Sequence, residues 1–185
     1  MVKVFVCSKS EARKVTKKVG ATHLVSLLDP GDHLFRGPRL QALPYLYLPC
    51  ADVLSTQFAD APTRDQVAAL LDFTKDLTRD DVLVVHCFAG VSRSTAAAFA
   101  VLCQHQRDPE IARALLVTQR PKAQPNTVIS KYADDLLGFN GELLRVAEDI
   151  ANNRMLMYLG DENGVDFASN RVEIFELIRR GRQDL

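Results

Sequence analysis

At 185 residues with a hydrophobic fraction of 47%, the chain is sized for one domain with a real core. Lys and Arg number 23 against 23 Asp and Glu, so no net field argues for nucleic acid or an anionic membrane as a partner. The most apolar stretch, Thr95 to Cys103, falls far short of the ~20 residues that a bilayer span needs. The opening Met1-Val2-Lys3-Val4-Phe5-Val6 turns polar too early for a signal peptide. Four cysteines (Cys7, Cys50, Cys87, Cys103) lack paired or metal-type spacing and fit reduced thiols in a cytoplasmic protein.

In chain order, Val2 to Val6 is apolar and β-branched and predicts a strand. Ser8 to Val19 has helical spacing. Thr22 to Leu28 predicts a buried strand closed by Asp29-Pro30-Gly31. The stretch through Gly37-Pro38 reads as loop, Tyr45 to Leu48 as a strand, and Cys50 to Ala61 as a long loop. Pro62 suits the first turn of a helix reaching about Leu77, with Val67, Leu70, Leu71 and Phe73 on one face. Asp81 to His86 is a continuous apolar run bounded by charge, the pattern of a central parallel strand. Ser92 to Gln104 is an Ala-rich helix. Asp108-Pro109-Glu110 and Asn126 each start another, and Asn140-Gly141 separates two more. This alternation predicts an α/β fold: a central twisted, mostly parallel sheet flanked by helices. Residues 1–150 read as one domain and 151–185 as a C-terminal extension packed on it. Within that extension, Gly160 to Gly164 reads as a turn and Ile174 to Ile178 as a docked arm or short helix.

Between the apolar strand and the Ala-rich helix lies His86-Cys87-Phe88-Ala89-Gly90-Val91-Ser92-Arg93-Ser94. A loop running from a strand into a helix N-terminus turns successive N–H groups inward and binds a phosphate dianion, aided by the helix dipole. Gly90 would permit the curvature of such a loop. Arg93 offers a planar fork matched to two phosphate oxygens. Cys87 sits at the mouth, where the same positive field favours a nucleophilic thiolate. Random usage would place His, Gly, Arg and Ser/Thr at these offsets from a cysteine about once in 10^5.

This stretch resembles the His-Cys-x5-Arg-Ser/Thr signature of the protein tyrosine phosphatase superfamily. Its Ala89-Gly90 and Ser92-Arg93-Ser94 details are most similar to dual-specificity phosphatases. The resemblance implies the cysteine phosphatase fold with a five-stranded sheet over 1–150. It implies a two-step phosphocysteine mechanism with no metal and no cofactor. Cys87 is then the nucleophile, the backbone of Phe88, Ala89, Gly90, Val91, Ser92 and Arg93 the phosphate cradle, Arg93 also the phosphate clamp, and Ser94 the hydroxyl that bonds the sulfur and helps it leave. His86 supports the loop or is a neutral packed histidine. Asn126, after Pro125, resembles an asparagine that holds the loop, or is a helix cap alone, or both.

The resemblance also implies a general acid on an upstream loop, where Asp52 and Asp60 are candidates. Asp52, directly after the Leu48-Pro49-Cys50 strand end, is favoured, and Asp60 is then a cap for the following helix. No Lys-Asn-Arg-Tyr phosphotyrosine loop is present, which implies a shallow site open to phosphoserine and phosphothreonine. The loop lacks the lysines of phosphoinositide phosphatases and the Asn-Arg-Thr-Gly ending of RNA triphosphatases. A phosphorylated protein is left as the expected substrate. A non-protein phosphoester, a phosphoprotein-binding module with little activity, and a rhodanese-like sulfurtransferase are the competing readings.

Overall fold

The computed structural model describes residues 2–159, without the side chains of 153–159 and Arg39. The elements are β1 (Lys3–Ser8), α1 (Ala12–Val19), β2 (His23–Leu28), α2 (Pro38–Gln41), β3 (Tyr45–Pro49) and α3 (Arg64–Thr74). They continue with β4 (Val82–Cys87), α4 (Arg93–Gln106), α5 (Pro109–Gln119), α6 (Thr127–Leu137) and α7 (Glu142–Leu159). α7 runs unbroken through position 150, and the turn and arm expected within 160–185 lie outside the described residues.

The described strands form one sheet in the order β1-β4-β2-β3, every pair parallel. β4 is buried throughout, as expected of a central strand covered on both faces. Val84 packs with Cys7, Leu24 and Ala12 under α1, while Leu83, Val85 and Cys87 pack into the larger core with α3 to α7. Four strands are described, where the resemblance implied five. On the outer edge of β1, Val6 N–H donates to Gln119 Oε1 at 3.0 Å and Gln119 Nε2 donates to Val4 O. A side chain of α5 thus takes up edge groups that another strand would pair.

α4 is buried from Arg93 to Cys103, with Ala96, Ala97, Ala98 and Ala100 fully enclosed. A helix apolar all round belongs inside, and alanine lets the sheet and α3, α5 and α6 approach closely. Three expectations change. Pro38–Gln41 forms a short helix with proline in its first turn, so that stretch is not wholly loop. α3 starts at Arg64 and ends at Thr74, later and shorter than expected. Its N-cap is Thr63, in a reciprocal capping box with Gln66, so Asp60 is not the cap. No described helix is long and apolar enough to cross a membrane.

Candidate active site

In a parallel sheet the C-terminal strand ends share one edge, and the connections leaving them meet there. β4 ends in Cys87, and α4 begins six residues later at Arg93, so the intervening loop opens on that edge beside the ends of β1 and β2. The loop's shape is imposed from outside. Phe88 O accepts from Lys9 N–H at 3.1 Å and Val91 O from Gln124 N–H at 2.8 Å. Arg120 donates from Nε to Gly90 O at 2.8 Å and from Nη2 to Ala89 O at 3.3 Å. Four successive carbonyls are thereby drawn outward, which turns peptide N–H groups toward the concave side. Gly90 has φ +71°, and a Cβ there would meet the Cys7 and Ser8 backbone at 2.5–2.6 Å. Only glycine fits.

On the concave side, Gly90 N–H donates to Cys87 Sγ at 3.2 Å, and Ser94 Oγ lies 3.1 Å from the same sulfur. The sulfur thus lies against a loop N–H and a hydroxyl, just before the N-terminus of α4. Burial pushes the thiols of Cys7 and Cys50 up, to about 12 and about 11, which marks them as inert. Arg93 is 3% exposed. Its Nη1 donates to Asp29 Oδ1 at 2.9 Å and to the Cys50 carbonyl. Its Nε is buried with no hydrogen-bond partner. Such an orphan donor is rare in a folded protein and costs about 1–3 kcal/mol unless a ligand satisfies it.

Asp52 joins the same site. Its Oδ1 accepts from Ser92 Oγ at 2.6 Å and from Asn126 Nδ2 at 3.1 Å, and its Oδ2 lies 3.8 Å from Arg93 Nε. Asn126 also donates to Val53 O at 3.0 Å, and its own Oδ1 caps α6. It therefore caps a helix and ties the Asp52 loop down. Asp60 is exposed; its carbonyl accepts from Ala51 N–H at 2.7 Å, and its carboxylate joins none of these contacts. His86 is fully buried against Ser26 Oγ, on the sheet face opposite Cys87. Burial pushes its imidazole down to about 4, so it is neutral at physiological pH.

Cys87, Arg93, Ser94, Asp52 and Asn126 thus converge. Sequence reading missed two contributors. Asp29 was read only as the strand breaker after β2, although that position ends a strand beside the cysteine strand. Arg120 carries no local signal, because only the return of α5 toward the loop brings it to Gly90.

No protein-family model and no curated protein sequence matches the chain. Solved structures do. A human tyrosine phosphatase-like serine/threonine/tyrosine-interacting protein is 23% identical with a TM-score of 0.58, covering 74% of this chain and 92% of that one. Human DUSP28 is 21% identical with a TM-score of 0.56, covering 74% and 94%. DUSP15 is 22% identical with a TM-score of 0.54, covering 79% and 90%. The chain has the fold of the dual-specificity and tyrosine phosphatases.

Proposed function

We propose that this protein is a cysteine-dependent phosphatase acting on phosphotyrosine and phosphoserine/threonine in proteins. The observation that carries the reading is one loop holding both a hydrogen-bonded sulfur and a buried guanidinium whose Nε has no hydrogen-bond partner. A phosphate dianion supplies the acceptors which that edge of Arg93 requires.

In the first step the Cys87 thiolate attacks phosphorus. The S–P bond forms as the ester P–O bond breaks, and Asp52 gives its proton to the departing oxygen. Oδ2 is the oxygen for this, since Oδ1 is held by Ser92 and Asn126 while Oδ2 faces the guanidinium edge. The loop amides and Arg93 hold the three non-bridging oxygens through a loose transition state. In the second step the Asp52 carboxylate takes a proton from water. The water oxygen bonds to phosphorus, the S–P bond breaks, and the thiolate leaves with the Ser94 hydroxyl donating to it.

A phosphoprotein-binding module with little turnover is the second reading, favoured by likeness to a protein named as phosphatase-like and interacting. Hydrolysis of para-nitrophenyl phosphate separates the two. Turnover should be vanadate-sensitive and lost in Cys87→Ser, because a hydroxyl is far less ionised than a thiol. Arg93→Lys should also lose most activity, since an ammonium cannot replace the fork. Residual activity in Cys87→Ser within tenfold of wild type would sink the assignment.

A further inference from the structure

Five large apolar side chains stand exposed among the described residues: Phe35 (75%), Leu54 (70%), Phe58 (59%), Phe88 (64%) and Ile111. Scattered singly, such residues mean little. Four of these five, however, lie on connections that leave C-terminal strand ends. Phe35 follows β2, Leu54 and Phe58 follow β3, and Phe88 follows β4 directly after Cys87. Leu54 adjoins Val53, whose carbonyl Asn126 holds beside Asp52. Phe35 lies 5.8 Å from the Arg13 guanidinium in the first turn of α1, at the same edge. The fifth, Ile111, sits at the start of α5.

Part of the charge around this rim is already engaged. Lys9 pairs with Asp32, and Arg120 is held by the loop carbonyls and Glu11. The Asp29 and Asp52 carboxylates stay partly exposed at the mouth. We infer that Phe35, Leu54, Phe58 and Phe88 form a recognition rim selecting phosphopeptides with aliphatic or aromatic residues beside the phosphorylated one. Acidic neighbours would meet Asp29 and Asp52 and are disfavoured. The inference rests on the phosphatase reading of the same site. A lipid surface fits less well, because seating the rim in it would press the carboxylates of Glu11, Asp29 and Asp52 against the membrane.

The test uses three fluorescein-labelled phosphotyrosine peptides, identical except for Leu/Phe, Ser/Gly or Asp/Glu flanks. Turnover gives kcat/KM with the wild type, and anisotropy gives Kd with full-length Cys87→Ser. The apolar peptide should exceed the acidic one at least ~10-fold in both, chiefly through KM. The triple variant Phe35→Ser/Leu54→Ser/Phe58→Ser should bring the ratio within ~3-fold while para-nitrophenyl phosphate turnover stays near wild type. Equal or reversed preference with normal para-nitrophenyl phosphate turnover overturns the rim and spares the phosphatase. Failure to hydrolyse para-nitrophenyl phosphate overturns the phosphatase, and the Kd series alone then decides the rim. Binding to phosphatidylcholine vesicles that the triple variant loses, with no flank preference, assigns the rim to lipid and refutes the inference.

Discussion

Gly90→Ala isolates the loop geometry from its chemistry. A residue with a Cβ at φ +71° costs about 1–2 kcal/mol in dihedral strain. At Gly90 the new methyl also meets Cys7 C at 2.5 Å, Cys7 O at 2.6 Å and Ser8 N at 2.6 Å. β1 cannot yield, because Cys7 pairs with His86 and Ser8 N–H is held by Glu11 at 2.9 Å. The loop must move instead, adding ~1–3 kcal/mol of overpacking. That movement breaks the 3.2 Å contact from Gly90 N–H to the Cys87 sulfur. A displacement near 1 Å in a catalytic loop can cost on the order of 10^2 in rate. Gly138 provides the control: its φ is also +71°, yet nothing lies within 4 Å of its Cβ position. Gly138→Ala should therefore show dihedral strain alone, at ~2–4 °C of Tm for each kcal/mol, with normal kcat/KM. Gly90→Ala should melt lower still and lose at least ~10^2-fold in kcat/KM. The assays are a circular-dichroism melt and para-nitrophenyl phosphate kinetics. Equal melting of the two variants, or Gly90→Ala activity within threefold of wild type, would refute the cradle geometry.

Asp52→Asn should cut turnover ~10^2–10^4-fold with a phenyl phosphate substrate, and less with a nitro-substituted phenol that needs no proton to leave. Asp60→Asn should change little; the reverse pattern would transfer the acid role to Asp60. Asp29→Ala should lower kcat/KM about tenfold and weaken vanadate inhibition, because Nη1 of Arg93 loses its 2.9 Å carboxylate contact; Asp29→Asn keeps an acceptor and should lose less. Unchanged vanadate affinity in Asp29→Ala would leave the Cys50 carbonyl and the loop as the anchors of Arg93. His86 has a folded pKa of about 4 against an ordinary 6.5, so the unfolded chain binds the extra proton between those values. The stability is whole above pH 6.5 and falls by on the order of 3 kcal/mol as pH drops through 4. His86→Gln should flatten that part of a urea-denaturation series, and an unchanged acid limb would show that other groups carry it.

The legible parts of this protein were those whose physics is local. An unbroken apolar run from Val82 to Val85 has to be a covered strand, and a cysteine and arginine six residues apart across its end are what the proposed phosphate cradle is read from. Asp108 and Asn126 were readable as caps because a side-chain acceptor reaches backbone donors two and three residues away. Thr63 obeys the same rule through its capping box with Gln66, but Pro62 drew attention to the neighbouring position. What escaped depends on chain separated by long stretches of sequence. Gln119 closes the edge of β1 from more than a hundred residues away, and no local pattern signals that this edge is taken, so the five-stranded sheet that the resemblance implied had nothing in the sequence to correct it.

The same distinction separates Cys87 from the groups that prepare it. The proposed nucleophile and its proposed clamp sit in one loop, yet the loop's direction is fixed by Lys9, Arg120 and Gln124, from the end of β1 and from the end of α5 onward. Arg93 is likewise aimed by Asp29 beyond β2 and the Cys50 carbonyl beyond β3. Each support stands next to a C-terminal strand end or where α5 returns to it. The parallel order β1-β4-β2-β3 is therefore what assembles the site, by setting β4 between β1 and β2 and bringing their outgoing turns to either side of one sulfur.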